Sequence, residues 1–263
     1  MSRTPTLLAA LLLTALASLP APAAVQTKTI EYEHDGQKLI GYLAYDDASD
    51  AKRPGILVVH EWWGLNDYTR LRCRMLAELG YVAFAADLYG DGRVTQHAEE
   101  AGAWARQIQQ NIDTWQARAA AALDILKAQP LADPARIAAV GYCFGGATVC
   151  QLAYTGADVK GIVSFHGSLP VPTDAQAKAI KARILVCHGA EDNFIPADRI
   201  AQFTNTLNAA DADLQFISYA NARHAFTNPN ADGSVNPGIL YNPDADRRSW
   251  NHMKLFLDEL FGE

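Results

Sequence analysis

The chain has 263 residues, 49% of them hydrophobic and 19% charged, with a formal net charge of −7. That length suits one sizeable α/β or all-β domain and does not require two. The acidic balance, with no Lys/Arg cluster larger than two adjacent residues, excludes a nucleic-acid partner, which would need a basic stripe against its phosphates.

At the amino terminus Arg3 precedes an apolar run from Leu7 to Leu19, and Ala21-Pro22-Ala23 places small residues at the spacing a signal peptidase reads. Residues 1–23 therefore read as a secretory signal peptide. A membrane anchor would need about 20 apolar residues; this run is shorter and is followed by Pro20 and Pro22. Cleavage leaves a mature chain of residues 24–263 with no membrane span. It removes only Arg3 among the charges, taking −7 to −8. The expected location is the periplasm of a Gram-negative cell or the secreted medium.

The stretch "TIEYEHDGQKLIGYLAY" alternates polar and apolar residues around Asp35-Gly36, which predicts an antiparallel hairpin. Then the texture changes. "GILVVH", "YVAFAAD", "RIAAVGY", "VKGIVSFHG" and "RILVCHG" are short apolar runs, each followed by a loop and a segment of helical character. Continuous apolar strands alternating with helices imply a mostly parallel, twisted sheet with helices on both faces. Between the second and third runs, "QHAEEAGAWARQIQQNIDTWQARAAAALDILKAQP" is rich in helix formers and ends at Pro130, predicting one long or two consecutive helices. After the strand "LQFISYA", the segment "FTNPNADGSVNPGILYNPDADRRSW" is dense in Asn, Gly and Pro and reads as an irregular loop. A closing helix is expected from Asp244 to Phe261. No repeat or linker divides residues 24–263, so a single domain is expected.

Sheets of this kind carry their chemistry in loops at the carboxyl ends of the strands. Those loops begin at His60-Glu61, Asp87, Cys143, His166, His188 and after Tyr219. Four cysteines, Cys73, Cys143, Cys150 and Cys187, are too few and too spread for a disulfide framework. Cys143 and Cys150, if both on one helix, lie roughly 10 Å apart by the helical rise, too far for a bridge. Cys73 and Cys187 read as small buried hydrophobes. Thiol-redox work would need a C-x-x-C pair, which is absent.

The sharpest local signal is Gly141-Tyr142-Cys143-Phe144-Gly145. Between a strand and a helix this G-x-nucleophile-x-G pattern makes a tight turn that holds the nucleophile above the sheet edge. The competing reading is a glycine-rich helix start with an inert thiol. Walker-type and dinucleotide-binding patterns are missing, and "HEWWG" has Gly64 where H-E-x-x-H needs its second histidine, so neither a metal nor another cofactor is expected. A thiol needs a base, and the base an orienting acid. Asp192 follows the strand "RILVCHG" and His224 follows "LQFISYA"; the order nucleophile, acid, histidine is that of the α/β-hydrolases.

Taken together, "HEWWGLN", "ADLYG", "GYCFGG", "EDNFIP" and "HAF" resemble the dienelactone hydrolase family of the α/β-hydrolases, in an order and spacing that cover nearly all of residues 24–263. The resemblance implies a hydrolase of a small carboxylic ester or lactone, with Cys143 as nucleophile, Asp192 as acid and His224 as base. It places a further glutamate, Glu61, at the end of an early strand, where it would hold the resting thiol neutral and take its proton when substrate arrives. It assigns the oxyanion contacts to the backbone N–H groups of Trp62 and Phe144. A free thiol titrates near about pH 8.5, so an imidazolium and a helix N-terminus would both favour the nucleophilic anion.

One departure matters. Family members that hydrolyse dienelactone carry an arginine shortly after the H-[SA]-F motif to pair with the substrate carboxylate; Asn228 stands there in this chain. Asparagine cannot supply the charge, so the resemblance implies the hydrolytic chemistry rather than dienelactone as substrate. Arg93, in "GDGRVTQH", is the candidate for the family's second carboxylate-binding arginine. His60, Trp63, His166 and Asn228 are candidates for lining the pocket, with packing roles as the alternative. A hydrolase-like binding protein without turnover is the competing functional class. A monomer or small homo-oligomer is expected.

Overall fold

The Asp35-Gly36 turn closes a hairpin of β1 (Val25–His34) and β2 (Gln37–Asp46) in antiparallel register, with φ of 50° and 71° at the two turn residues. Left-handed conformation at both positions lets a two-residue loop follow the natural twist of the strands. The computed structural model describes residues 24–262, so the segment read as a signal peptide lies outside the described residues.

Six further strands complete the sheet: β3 (Arg53–Val59), β4 (Val82–Ala86), β5 (Ala132–Tyr142), β6 (Gly161–Phe165), β7 (Arg183–Gly189) and β8 (Leu214–Tyr219). Their order is β1-β2-β4-β3-β5-β6-β7-β8. β2 meets β4 antiparallel, and every pairing from β4 onward to β8 is parallel. The buried stretches of the central strands are mostly apolar because both faces are covered. Leu57, Val59, Phe84, Ile162 and Ile184 face one core, and their neighbours Ile56, Val58, Ala83, Val163 and Leu185 the other. The period-two alternation thus feeds two separate cores. Each fully buried large apolar side chain contributes about 1.5–3 kcal/mol relative to exposure.

α1 (Asp67–Glu78) and α7 (Pro243–Phe261) cover the second of these cores through Leu76, Met253 and Leu257. Packed on the first are α2 (Ala98–Gln109), α3 (Ile112–Lys127), α4 (Phe144–Tyr154) and α6 (Ala197–Ala209), through Ile108, Leu123, Leu152 and Phe203; α5 (Asp174–Ala179) is a short connector. The Ala- and Gln-rich run is two helices, because Asn111 interrupts it and caps α3 by accepting the Thr114 N–H at 3.1 Å. Asn242 does the same for α7, accepting from Ala245 at 3.0 Å. The two helices over the second core are joined by Arg72, which donates to Asp246 at 2.5 Å. None of the described helices is long and apolar enough to cross a membrane.

Candidate active site

Cys143 stands between β5 and α4 with φ 55° and ψ −112°, a conformation that L-residues rarely adopt. The flanking glycines make it possible. A Cβ on Gly145 would come within 2.2 Å of the Val59 carbonyl oxygen, and one on Gly141 within 2.0 Å of the Gly145 carbonyl oxygen. Phe144 opens α4, so its N–H has no intrahelical acceptor and is free to meet negative charge.

Two loops bring partners to the sulfur. Asp192, after β7, is fully buried in its side chain and steadied by the Phe194 N–H at 3.1 Å. Its other oxygen meets His224 Nδ1 at 2.8 Å, and His224 Nε2 stands 3.1 Å from Cys143 Sγ. His224 itself is clasped by the long loop: its N–H donates to Gly238 O and its carbonyl accepts from Leu240 N–H. That loop therefore folds back to hold the histidine. Burial pulls the imidazole down, but the Cys143 sulfur and the Asp192 carboxylate outweigh it and hold His224 well above its ordinary value. A cysteine, an imidazole and a carboxylate thus form one unbroken hydrogen-bonded series.

Glu61 lies just beyond β3, and Asn228 Nδ2 donates to its Oε2 at 2.6 Å. Burial pushes this carboxyl up to about 7, against the opposing pull of that hydrogen bond and of the His224 and Arg72 charges. The following turn is pinned from both sides: Tyr89 OH donates to the Trp62 carbonyl at 3.0 Å and Thr95 N–H to the Trp63 carbonyl at 3.1 Å. Gly64 lets the chain leave, at φ 88°, where a Cβ would strike Arg93 O.

These groups border a cavity of about 780 Å³, lined by Glu61, Trp62, Trp63, Cys143, Phe144 and His224 among others. The Trp62 and Trp63 rings pack at 4.6 Å. Phe194 and Val235, both about half exposed, add apolar surface to its wall. Arg106, exposed on α2, is the sole Lys or Arg among the described lining residues.

Three expected pocket residues stand elsewhere. Arg93 is outside the cavity lining because its guanidinium donates to the carbonyls of Tyr89 and Gly90 and lies over the Trp104 ring. His166 is fully buried beneath Cys143, where Nδ1 accepts the Cys143 N–H at 3.1 Å and Nε2 meets Thr227 Oγ1 at 2.7 Å. His60 is also buried, donating from Nδ1 to Glu61 O and accepting the Leu88 N–H on Nε2. Trp63 and Asn228 do line the cavity, with Asn228 committed to Glu61. Tyr68, Arg72 and Thr227, which surround the site from behind, carry no local sequence signal.

All four cysteines are free. Burial pushes Cys150 and Cys187 up to about 12 and Cys73 higher, which leaves them protonated and unreactive. Cys143 differs in standing half-buried at the cavity wall.

The model of the dienelactone hydrolase family matches residues 39–261. A solved structure called m3DLH is similar with a TM-score of 0.88 at 41% identity, over 90% of this chain and 99% of the other. A dienelactone hydrolase-like promiscuous phosphotriesterase from metagenomic libraries gives a TM-score of 0.88 at 37% identity, with the same coverage. Among curated relatives, a protein of Aquifex aeolicus, provisionally named carboxymethylenebutenolidase, is 28% identical over 87% of this chain and 98% of its own.

Proposed function

The chain belongs to the dienelactone hydrolase family, whose members include carboxylic ester and lactone hydrolases, and from that premise we propose that it cleaves such a bond through a Cys143 acyl-enzyme. The observation that carries this reading is the series Cys143 Sγ, His224 and Asp192, with contacts of 3.1 and 2.8 Å, at the wall of an open cavity. The Cys143 thiol gives its proton to His224 Nε2 across 3.1 Å, and attack of the resulting thiolate on the substrate carbonyl forms a C–S bond and moves the carbonyl electrons onto oxygen. The oxyanion is held by the N–H of Phe144 at the start of α4 and by that of Trp62. Collapse re-forms the carbonyl and breaks the C–O bond, and the proton on His224 Nε2 goes to the leaving alkoxide. Water then enters, gives its proton to His224, and attacks the thioester; the thiolate leaves and the acid is released. Asp192 keeps the ring oriented and balances its charge throughout. Glu61, with its carboxyl near neutrality, is the group able to exchange a proton beside this pair.

The substrate is best read as uncharged next to the scissile carbonyl. Glu61 and Asn228 border the cavity where a carboxylate-binding arginine would stand, and Asn228 is already engaged. The test compares matched aryl esters, one neutral and one bearing an adjacent carboxylate, on the wild type and on Cys143→Ala. Hydrolysis favouring the neutral ester and abolished by the substitution is expected. Equal rates in the two proteins would sink the nucleophile, and a preference for the carboxylated ester would sink the substrate class.

A further inference from the structure

Building on the cysteine-nucleophile reading, we propose that His166 is a positioning residue that holds the backbone of Cys143 and, through Thr227, ties the turn bearing the nucleophile to the loop bearing His224. The Cys143 N–H is shared between two acceptors, Phe165 O at 3.0 Å and His166 Nδ1 at 3.1 Å. The first is the end of the parallel ladder and would be present after any strand. The second is a side chain brought to that point by a left-handed backbone, φ 41°, at a non-glycine residue. Strain of this sort persists only where surrounding contacts impose it. At its other nitrogen the ring meets Thr227 Oγ1 at 2.7 Å, three residues beyond His224 in the same loop.

The direction of each hydrogen bond follows. Because Nδ1 accepts, the ring proton sits on Nε2 and is donated to the Thr227 hydroxyl. A second proton on Nδ1 would oppose the Cys143 N–H. Burial and the neighbouring His224 and Arg72 charges hold the ring well below its ordinary value, so that it stays neutral. Behind Thr227 the anchor is firm. Tyr68 OH reaches the same hydroxyl at 2.6 Å, and Arg72 donates to the Thr227 carbonyl at 2.6 Å. His166 also packs edge-on against His224, with ring centroids 5.3 Å apart. The sulfur and its base therefore share a support, and the 3.1 Å between Sγ and Nε2 depends on it.

The test measures kcat and KM for a neutral aryl ester with His166→Leu and His166→Asn, rates being normalised to folded protein by circular dichroism. Misplacing a nucleophile by about an ångström costs up to roughly 100-fold, so His166→Leu is expected to lose about 10- to 100-fold in kcat. KM should move by less than about threefold, since ground-state binding is untouched. His166→Asn, whose Oδ1 stands near the Nδ1 position and can accept the Cys143 N–H, should recover most of the loss. Should the leucine variant not fold, Thr227→Val against Thr227→Ser gives the same contrast, with serine restoring kcat. Wild-type kcat in the leucine or valine variant, or equal losses within either pair, overturns the proposal. Activity persisting in Cys143→Ala overturns the nucleophile reading instead, which separates the two failures.

Discussion

Glu61 is a carboxyl just beyond the buried, apolar end of β3, and its energetics are those of a buried acid. Burial moves it from an ordinary 4.5 to about 7. The native state therefore favours the protonated form. That contribution is fully present below about pH 4.5 and is lost as pH rises through 7, a change of about 3 kcal/mol. Glu61→Gln carries no charge and retains an oxygen for Asn228. It is expected to exceed the wild type in stability by up to about 3 kcal/mol at pH 8, with the gap closing toward pH 4, while hydrolysis falls on the order of 10²-fold. Urea unfolding at the two pH values, alongside ester kinetics, checks both parts; a gap independent of pH contradicts the buried-acid assignment. Residues such as Cys143 and Glu61 were legible in the sequence because glycines and strand ends mark them. Arg93, His60 and His166 do not border the cavity, and for the two histidines the packing alternative holds, because the spacing after a strand fixes a residue's neighbourhood but not the direction of its side chain. Arg93 turned to carbonyls of its own turn, and His166 turned inward under the sulfur.

Between elements, the informative contact is the one joining α1 to α7. Arg72 is almost fully buried, donates to Asp246 and to the Thr227 carbonyl, and lies over the rings of Tyr68, Tyr142 and Trp250. Removing one partner of a buried pair leaves the other uncompensated, at a cost of about 3–5 kcal/mol. Arg72→Met keeps the apolar volume against the aromatic rings but not the charge. Its urea midpoint is expected to fall by the equivalent of about 3 kcal/mol with an unchanged slope; a loss under about 1 kcal/mol would mean that Asp246 is satisfied without it. The strands and most helices are legible because central parallel strands form short apolar runs and the segments between them are rich in helix formers; the caps at Asn66, Asn111 and Asn242 emerge only in the structure. The Arg72 contacts were not legible. They join residues 155 and 174 positions apart, and nothing in the local sequence of α1 distinguishes this arginine from the exposed Arg70.

Across the whole molecule, the sheet order puts β3, β5, β7 and β8 close enough for Glu61, Cys143, Asp192 and His224 to border or support one cavity, although they span 163 positions from Glu61 to His224. That the sheet is mostly parallel is legible in the alternation of apolar runs with helical segments, and such sheets gather their strand-end loops at one edge. The course of residues 228–240 is not legible, because an Asn-, Gly- and Pro-rich segment records only that no regular element forms there. In the fold it closes over His224 and supplies Ala231 to Val235 to the cavity wall. Passage of an acyl group through Cys143 can be caught by quenching the enzyme in acid during turnover of a slowly deacylated aryl ester, digesting it, and measuring peptide masses. The acyl mass is expected on the peptide that contains Cys143, approaching one per chain before the steady state. Acyl mass on another residue, or an unmodified Cys143 peptide while product accumulates in a burst, would contradict a Cys143 acyl-enzyme.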